Sequence, residues 1–217
     1  MNIPELISGD RTYSSSSLRV WLLLNEFEVP FNERVIKLFQ SDTVEKIAMY
    51  SPSLQLPVLI HDDIKVWDSL SICEYINETF LEGRAWPQHS KKKATARSIA
   101  NELHADFQEF KKDWPMNCRL RTRMKASEHI EREIARLDAI MYCCRTSYGD
   151  GGDYLFGQFS VADCMLAPMA VALKAYGAEL SEQSRVYIQY LLSNPNLEWW
   201  LEQAENEQQI ISWERRA

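Results

Sequence analysis

The sequence predicts an α/β layer followed by an all-α half, and three observations predict it. Up to about residue 84, short apolar runs of strand length alternate with helical ones. From about residue 90, every periodic stretch has helical spacing. Within the first part, "PVLI" (57–60) and "IKVW" (64–67) are separated only by "HDD", which is too short for a crossover and suits an antiparallel hairpin. The expected sheet is therefore mixed, with a β-α-β unit, a hairpin and a closing helix. The expected boundaries are 1–84 for the first domain and 90–217 for the second.

The elements follow in order. "ELIS" (5–8) reads as the first strand, and four serines at 14–17 lead into the apolar helix "LRVWLLLNEF". "NERVIKL" (32–38) reads as the second strand, and "SLSICEYINETF" (69–80) as the helix after the hairpin. After "EGRAWPQHS", Ile99, Leu103, Phe107 and Phe110 recur at spacings of three and four and are expected on one helix face. Ile130, Ile134, Leu137 and Met141 form a second such stripe. "FSVADCMLAPMAVAL" opens a further helix, with Ser160 and Asp163 in the places of a capping box and Pro168 inside it. "NPNLEWWLEQ" begins the last, with Asn194 as cap and Pro195 at its first position.

Composition narrows the function. Hydrophobic residues make up 46% and charged residues 25% of the 217, as in an ordinary globular protein. No apolar run approaches the roughly 20 residues a membrane helix needs, and "MNIPELISGD" lacks the basic start and apolar stretch of a secretion signal, so a cytoplasmic location is expected. Cys73, Cys118, Cys143, Cys144 and Cys164 are odd in number and without Cys-x-x-Cys spacing, so free thiols are expected. His61, His89, His104 and His129 are scattered, and no metal site is expected. The net charge of −7 and the lack of aromatics around Lys91–Lys93 argue against a nucleic-acid partner.

Three features can carry chemistry. The serine run stands where a loop delivers its residues to a helix N-terminus, whose unsatisfied N–H groups and dipole favour an anion. One capping serine with loop filler is the plainer reading of the same run. No glycine-rich phosphate cradle accompanies it, which makes a nucleotide a poor candidate. Pro57 opens a strand, and Asp68 with Ser69 begins a second helix, either as another anion-friendly end or as a simple cap.

Together, "YSSSSLRVW", "LPVL", Asp68–Ser69 and "FSVADCMLAP" resemble the cytosolic glutathione transferases over essentially the whole chain. The serine loop is most similar to the zeta class, whose signature reads Ser-Ser-Cys followed by a residue or two and Arg-Val. Counted back from Arg19 and Val20, Ser14 takes the place of the catalytic serine and Ser15 that of the second, while Ser16 stands where the zeta class has cysteine. The resemblance implies a thioredoxin-like βαβ-ββα domain followed by an all-helical domain, glutathione as co-substrate, and a homodimer. It implies that Ser14 donates a hydrogen bond to the glutathione sulfur. Leu56, before a cis Pro57, would offer its backbone to the cysteinyl part, and Asp68 and Ser69 would hold the γ-glutamyl end. Gln40 would reach the glycyl carboxylate. For the small hydrophobic electrophile the first helices of the helical half offer Phe107, Phe110, Trp114 and Met116. The implied activity is conjugation of the thiolate to an electrophile. Maleylacetoacetate-type isomerisation or peroxide reduction, and a catalytically silent adaptor, are the alternatives.

Overall fold

The computed structural model describes residues 2–208, so the end of the expected helical half, 209–217, lies outside the described residues. The strands β1 (Glu5–Gly9), β2 (Asn32–Ile36), β3 (Val58–His61) and β4 (Ile64–Trp67) form one sheet in the order β2-β1-β3-β4. β1 and β2 are parallel, with Glu5 opposite Asn32, and need the crossover helix α1 (Ser15–Glu26). β1–β3 and β3–β4 are antiparallel, with Ile7 opposite Val58 and Val58 opposite Trp67. His61 extends β3, so the hairpin turn is Asp62–Asp63 alone, with Asp62 at φ 54°. The helix α3 (Ser69–Thr79) completes the expected βαβ-ββα order. One further helix, α2 (Thr43–Ala48), escaped the sequence reading because its six residues are too few to show a period.

The helical part comprises α4 (Ser90–Ala105), α5 (Gln108–Asp113), α6 (Glu128–Tyr148), α7 (Val161–Tyr176), α8 (Glu182–Leu192) and α9 (Pro195–Glu205). The stripe expected on one helix through Ile99, Leu103, Phe107 and Phe110 is in fact divided. α4 stops at Ala105, Asp106 is extended, and Phe107 takes the left-handed conformation at φ 62°, ψ 43°, from which α5 starts afresh. Both phenylalanines are nevertheless buried, which is what their spacing reports.

α7 is the centre of the molecule. Every one of its residues except Lys174 is buried, as befits a helix apolar all round, and it packs on α1, α4 and α8. The Ser160–Asp163 capping box is present as expected. The Asp163 carboxylate accepts from the backbone N–H of Leu155 (3.0 Å) and of Ser160 (2.9 Å), the Ser160 hydroxyl (2.9 Å) and the Tyr187 hydroxyl (2.9 Å).

One apolar core runs through both parts, from Leu6 of β1 and Leu22 of α1 through Ile76 and Leu103 to Leu166 of α7 and Trp200 of α9. A smaller cluster of Ile7, Ile36, Ile47 and Val58 lies on the other face of the sheet, which alternation along β1 requires. Among the described residues no helix is long and apolar enough to cross a membrane.

Candidate functional site

The loop between β1 and α1 is organised by Asp10. Its carboxylate accepts from the backbone N–H of Tyr13 (3.1 Å) and of Leu38 (3.1 Å), and its carbonyl accepts from Ser14 N–H (3.2 Å). Ser14 is the N-cap residue of α1, yet its side chain makes no capping bond. Its hydroxyl instead donates to Ser17 Oγ (2.7 Å), which also accepts the Gly9 N–H (2.9 Å) and so ties strand to helix. A Cβ on Gly9 would stand 2.7 Å from Ser14 Oγ, so the close approach of loop to strand depends on glycine there. Ser14 is 7% exposed; Ser15 and Ser16 are half-buried. The run thus divides its work between an internal tie at Ser17, a buried hydroxyl at Ser14 and two accessible ones.

The second helix end lies alongside. Asp68, at φ 72°, caps α3 by accepting from the N–H groups of Leu70 (3.1 Å) and Ser71 (3.0 Å). Its other oxygen lies 2.8 Å from Nε2 of His104, in the last turn of α4. Burial works to raise the Asp68 pKa, but the bonds from His104 and Ser71 outweigh it and hold the carboxyl at about 2. Arg19 extends the network from α1: Nη1 lies 3.2 Å from His104 Nδ1 and 3.5 Å from Ser69 Oγ, and Nη2 donates to Leu103 O (3.4 Å). Burial lowers the Arg19 pKa to about 10, and its Nε has no hydrogen-bond partner among the described residues. Leu56 stands half-buried before β3, and the Leu56–Pro57 peptide is cis, as the resemblance implied.

Beside these groups lies a cavity of about 70 Å³, whose lining includes Tyr13, Ser15, Arg19, Phe110, Lys111 and Trp114. Trp114 is fixed by stacking on Tyr176, 5.0 Å away at 11°. Lys111 donates to the carbonyls of His104 (2.7 Å) and Asp106 (2.6 Å), and burial beside the Arg19 charge lowers its pKa to about 8. The structure therefore brings Ser15, Phe110 and Trp114 to one cavity, with Ser69 joined to it through Arg19. Phe107 does not line it, because the left-handed turn that follows α4 sends its ring into the core. Gln40 does not line it either. It sits exposed in the turn before α2, its N–H on Thr43 Oγ1 (2.9 Å) and its side-chain amide on Leu38 O (3.3 Å).

Sequence reasoning missed Lys111 and His104 and used Arg19 only to set the register. None of the three carries a local signal; each acquires its role by meeting another segment. Chemically, the N-terminus of α1 brings the Ser15 hydroxyl to an aromatic-walled cavity, and the N-terminus of α3 is joined to it through Arg19 and Ser69; each helix end favours an anionic group.

Comparisons with known proteins bear on the family and the fold. The family description "Glutathione S-transferase, N-terminal domain" matches residues 13–79. The chain is 28% identical over 178 residues to glutathione S-transferase 1 of Dianthus caryophyllus, covering 78% of each chain. It is 26% identical over 183 residues to probable maleylacetoacetate isomerase 2 of Drosophila melanogaster, covering 77% of this chain and 74% of that one. Among solved structures, a glutathione transferase homolog from Burkholderia GL BGR1 with bound glutathione shares the fold at a TM-score of 0.71. It is 19% identical, and the match covers 95% of this chain and 100% of that one.

Proposed function

We propose, from the match of residues 13–79 to the glutathione S-transferase N-terminal domain and the 28% identity to a glutathione S-transferase over 178 residues, that the chain is a glutathione transferase that conjugates the glutathione thiolate to a small hydrophobic electrophile. The observation that carries the reading is the aromatic-walled cavity lined by Ser15 and Arg19 of α1, with the α3 N-terminus joined to it through the contact of Arg19 with Ser69. A free thiol ionises near pH 8.5, and each unit by which a site lowers that value corresponds to about 1.4 kcal/mol. A hydroxyl donor with a helix dipole supplies that order of energy.

In this reading Ser14 turns its hydroxyl from Ser17 to the sulfur, and Ser15 makes a second polar contact. Leu56, held by Pro57, presents its backbone to the cysteinyl part in the manner of an added strand. Asp68 takes the ammonium of the γ-glutamyl end, and Ser69 with the α3 N–H groups takes its carboxylate. Gln40 reaches the glycyl end, and Phe110 and Trp114 wall the electrophile site. Phe107, the third aromatic expected at this site, lies in the core.

The serine loop is closest to the zeta class, and the similarity to proteins named as maleylacetoacetate isomerases favours isomerisation as the second reading. Assay of 1-chloro-2,4-dinitrobenzene, cumene hydroperoxide and maleylacetone with glutathione separates them. Turnover of the aryl halide is expected. Turnover of maleylacetone alone would transfer the assignment to the isomerase, and glutathione binding with no turnover of any of the three would make the chain a silent adaptor.

We further read the protein as a cytoplasmic homodimer, a setting that suits its five free cysteines. Sedimentation at micromolar concentration is expected to give twice the chain mass of 25.3 kDa; a species of 25.3 kDa alone would refute the dimer.

A further inference from the structure

We propose that Glu207, just beyond α9, is a positioning residue for the reaction: its carboxylate holds the main chain of Arg11 and Thr12 and thereby fixes the loop that carries Ser14. The inference rests on the serine role proposed above and adds a residue from the opposite end of the chain.

The geometry is dense. One carboxylate oxygen of Glu207 accepts from Arg11 N–H at 2.7 Å. The other accepts from Thr12 N–H at 2.9 Å and from the Thr12 hydroxyl at 2.6 Å. The carbonyls of the same two residues are taken up by the same part of the molecule. Arg11 O accepts from Trp200 Nε1 (2.9 Å) and Cys118 Sγ (3.3 Å), and Thr12 O from Cys118 N–H (3.1 Å). All four main-chain polar groups of Arg11 and Thr12 are thus bonded to residues 118, 200 and 207. Two residues later the chain reaches Ser14.

Arg119 adds a hold on the main chain, donating through Nη1 to the Glu207 carbonyl. Glu205, two residues earlier, takes no part: it pairs with Arg121 on the surface at 3.1 Å. The Arg11 guanidinium is directed elsewhere, to Glu33 at 2.6 Å and over the Trp200 ring at 4.4 Å. Asp10 is the one acidic neighbour within the loop; burial raises its pKa, and the Glu207 charge adds to that.

A carboxylate is the group this grip requires. A glutamine has one acceptor oxygen, and its NH₂ would face a backbone N–H, while an aspartate is one methylene short. A loop released by even 1 Å would misdirect the serine hydroxyl, and displacement of that size can cost up to about 100-fold.

The test measures the ionisation midpoint of bound glutathione from thiolate absorbance against pH, together with kcat and KM. It uses wild type, Glu207→Gln, Glu207→Asp, Thr12→Val, and Glu205→Gln as a control from the same segment. In Glu207→Gln the midpoint is expected to move toward that of the free thiol. Its kcat should fall about 10-fold while the KM for glutathione changes less than about threefold. Glu207→Asp should recover part of the loss, and Glu205→Gln none of the effect. Thr12→Val removes one of the three contacts and should shift the midpoint in the same direction by less, which serves if Glu207→Gln does not fold. An unchanged midpoint and kcat in folded Glu207→Gln or Thr12→Val, or an equal effect from Glu205→Gln, would overturn the proposal. A wild type that fails to ionise bound glutathione would overturn the transferase reading and this inference with it. A shift in Ser14→Ala without one in Glu207→Gln would overturn this inference alone.

Discussion

Replacing Ser14 by alanine is expected to lower kcat by about 10- to 1,000-fold, the upper part of which, about 100- to 1,000-fold, is the range for losing one preorganised donor to an anion. The ionisation midpoint of bound glutathione should rise toward about 8.5, the value of a free thiol. Folding should be nearly unaffected, because the Ser14 side chain makes no capping bond to α1 and its one hydrogen bond goes to Ser17 Oγ. Ser17 would still accept the Gly9 N–H, so the tie between strand and helix survives. Ser15→Ala is the informative companion, since Ser15 rather than Ser14 lines the cavity. If Ser15→Ala abolishes turnover and Ser14→Ala does not, the register taken from Arg19 is off by one residue. If neither change matters, the serine mechanism is wrong.

The largest loss of stability is expected from Asp163→Ala. Four donors converge on that carboxylate, two of them backbone N–H groups of Leu155 and Ser160 that are buried with it. Each buried donor left without an acceptor costs about 1–3 kcal/mol, and loss of a helix cap about 1 kcal/mol. A total of roughly 3–5 kcal/mol follows, which for a chain of this size lowers the melting temperature by roughly 10 °C. A calorimetric shift below about 3 °C would show that the box is dispensable.

The same residue makes stability depend on pH. Burial raises the Asp163 carboxyl to about 6 despite its hydrogen bonds, so the folded protein binds more protons there than the unfolded chain. Through this group stability is therefore greatest below the unfolded pKa of about 3.9, and it falls as pH rises from about 4 to 6. Asp163→Asn removes that slope, and denaturant midpoints across the window would show it.

What the sequence revealed depended on how local the signal was. The box at Ser160 and Asp163, the Asn194–Pro195 helix start and the β-β hairpin were legible because their residues lie within a few positions of one another. The stripe through Phe107 misled because a left-handed residue between two helices leaves the apolar spacing intact while turning the chain. α2 was too short to show a period, and α8 was not singled out, although Tyr187, Ile188 and Leu191 are its buried face. At the site, the serine loop and the Asp68–Ser69 pair stood out as helix starts. The contact of Arg19 with His104 joins residues 85 apart, and that of Thr12 with Glu207 joins residues 195 apart, separations that no periodicity reports.

The indoles that surround Arg11 have an optical consequence. Trp21 and Trp199 lie face to face, 5.0 Å apart at 7°, and Trp200 is tilted against Trp21 at 5.3 Å. Indoles this close share their excited state, and a guanidinium within 6 Å of all three rings perturbs their emission. Trp21 rides on α1 and the other two on α9, so the pairing exists only while these helices are docked. The near-ultraviolet dichroism of the chain thus carries its own record of whether α9 is seated on α1, without any label attached.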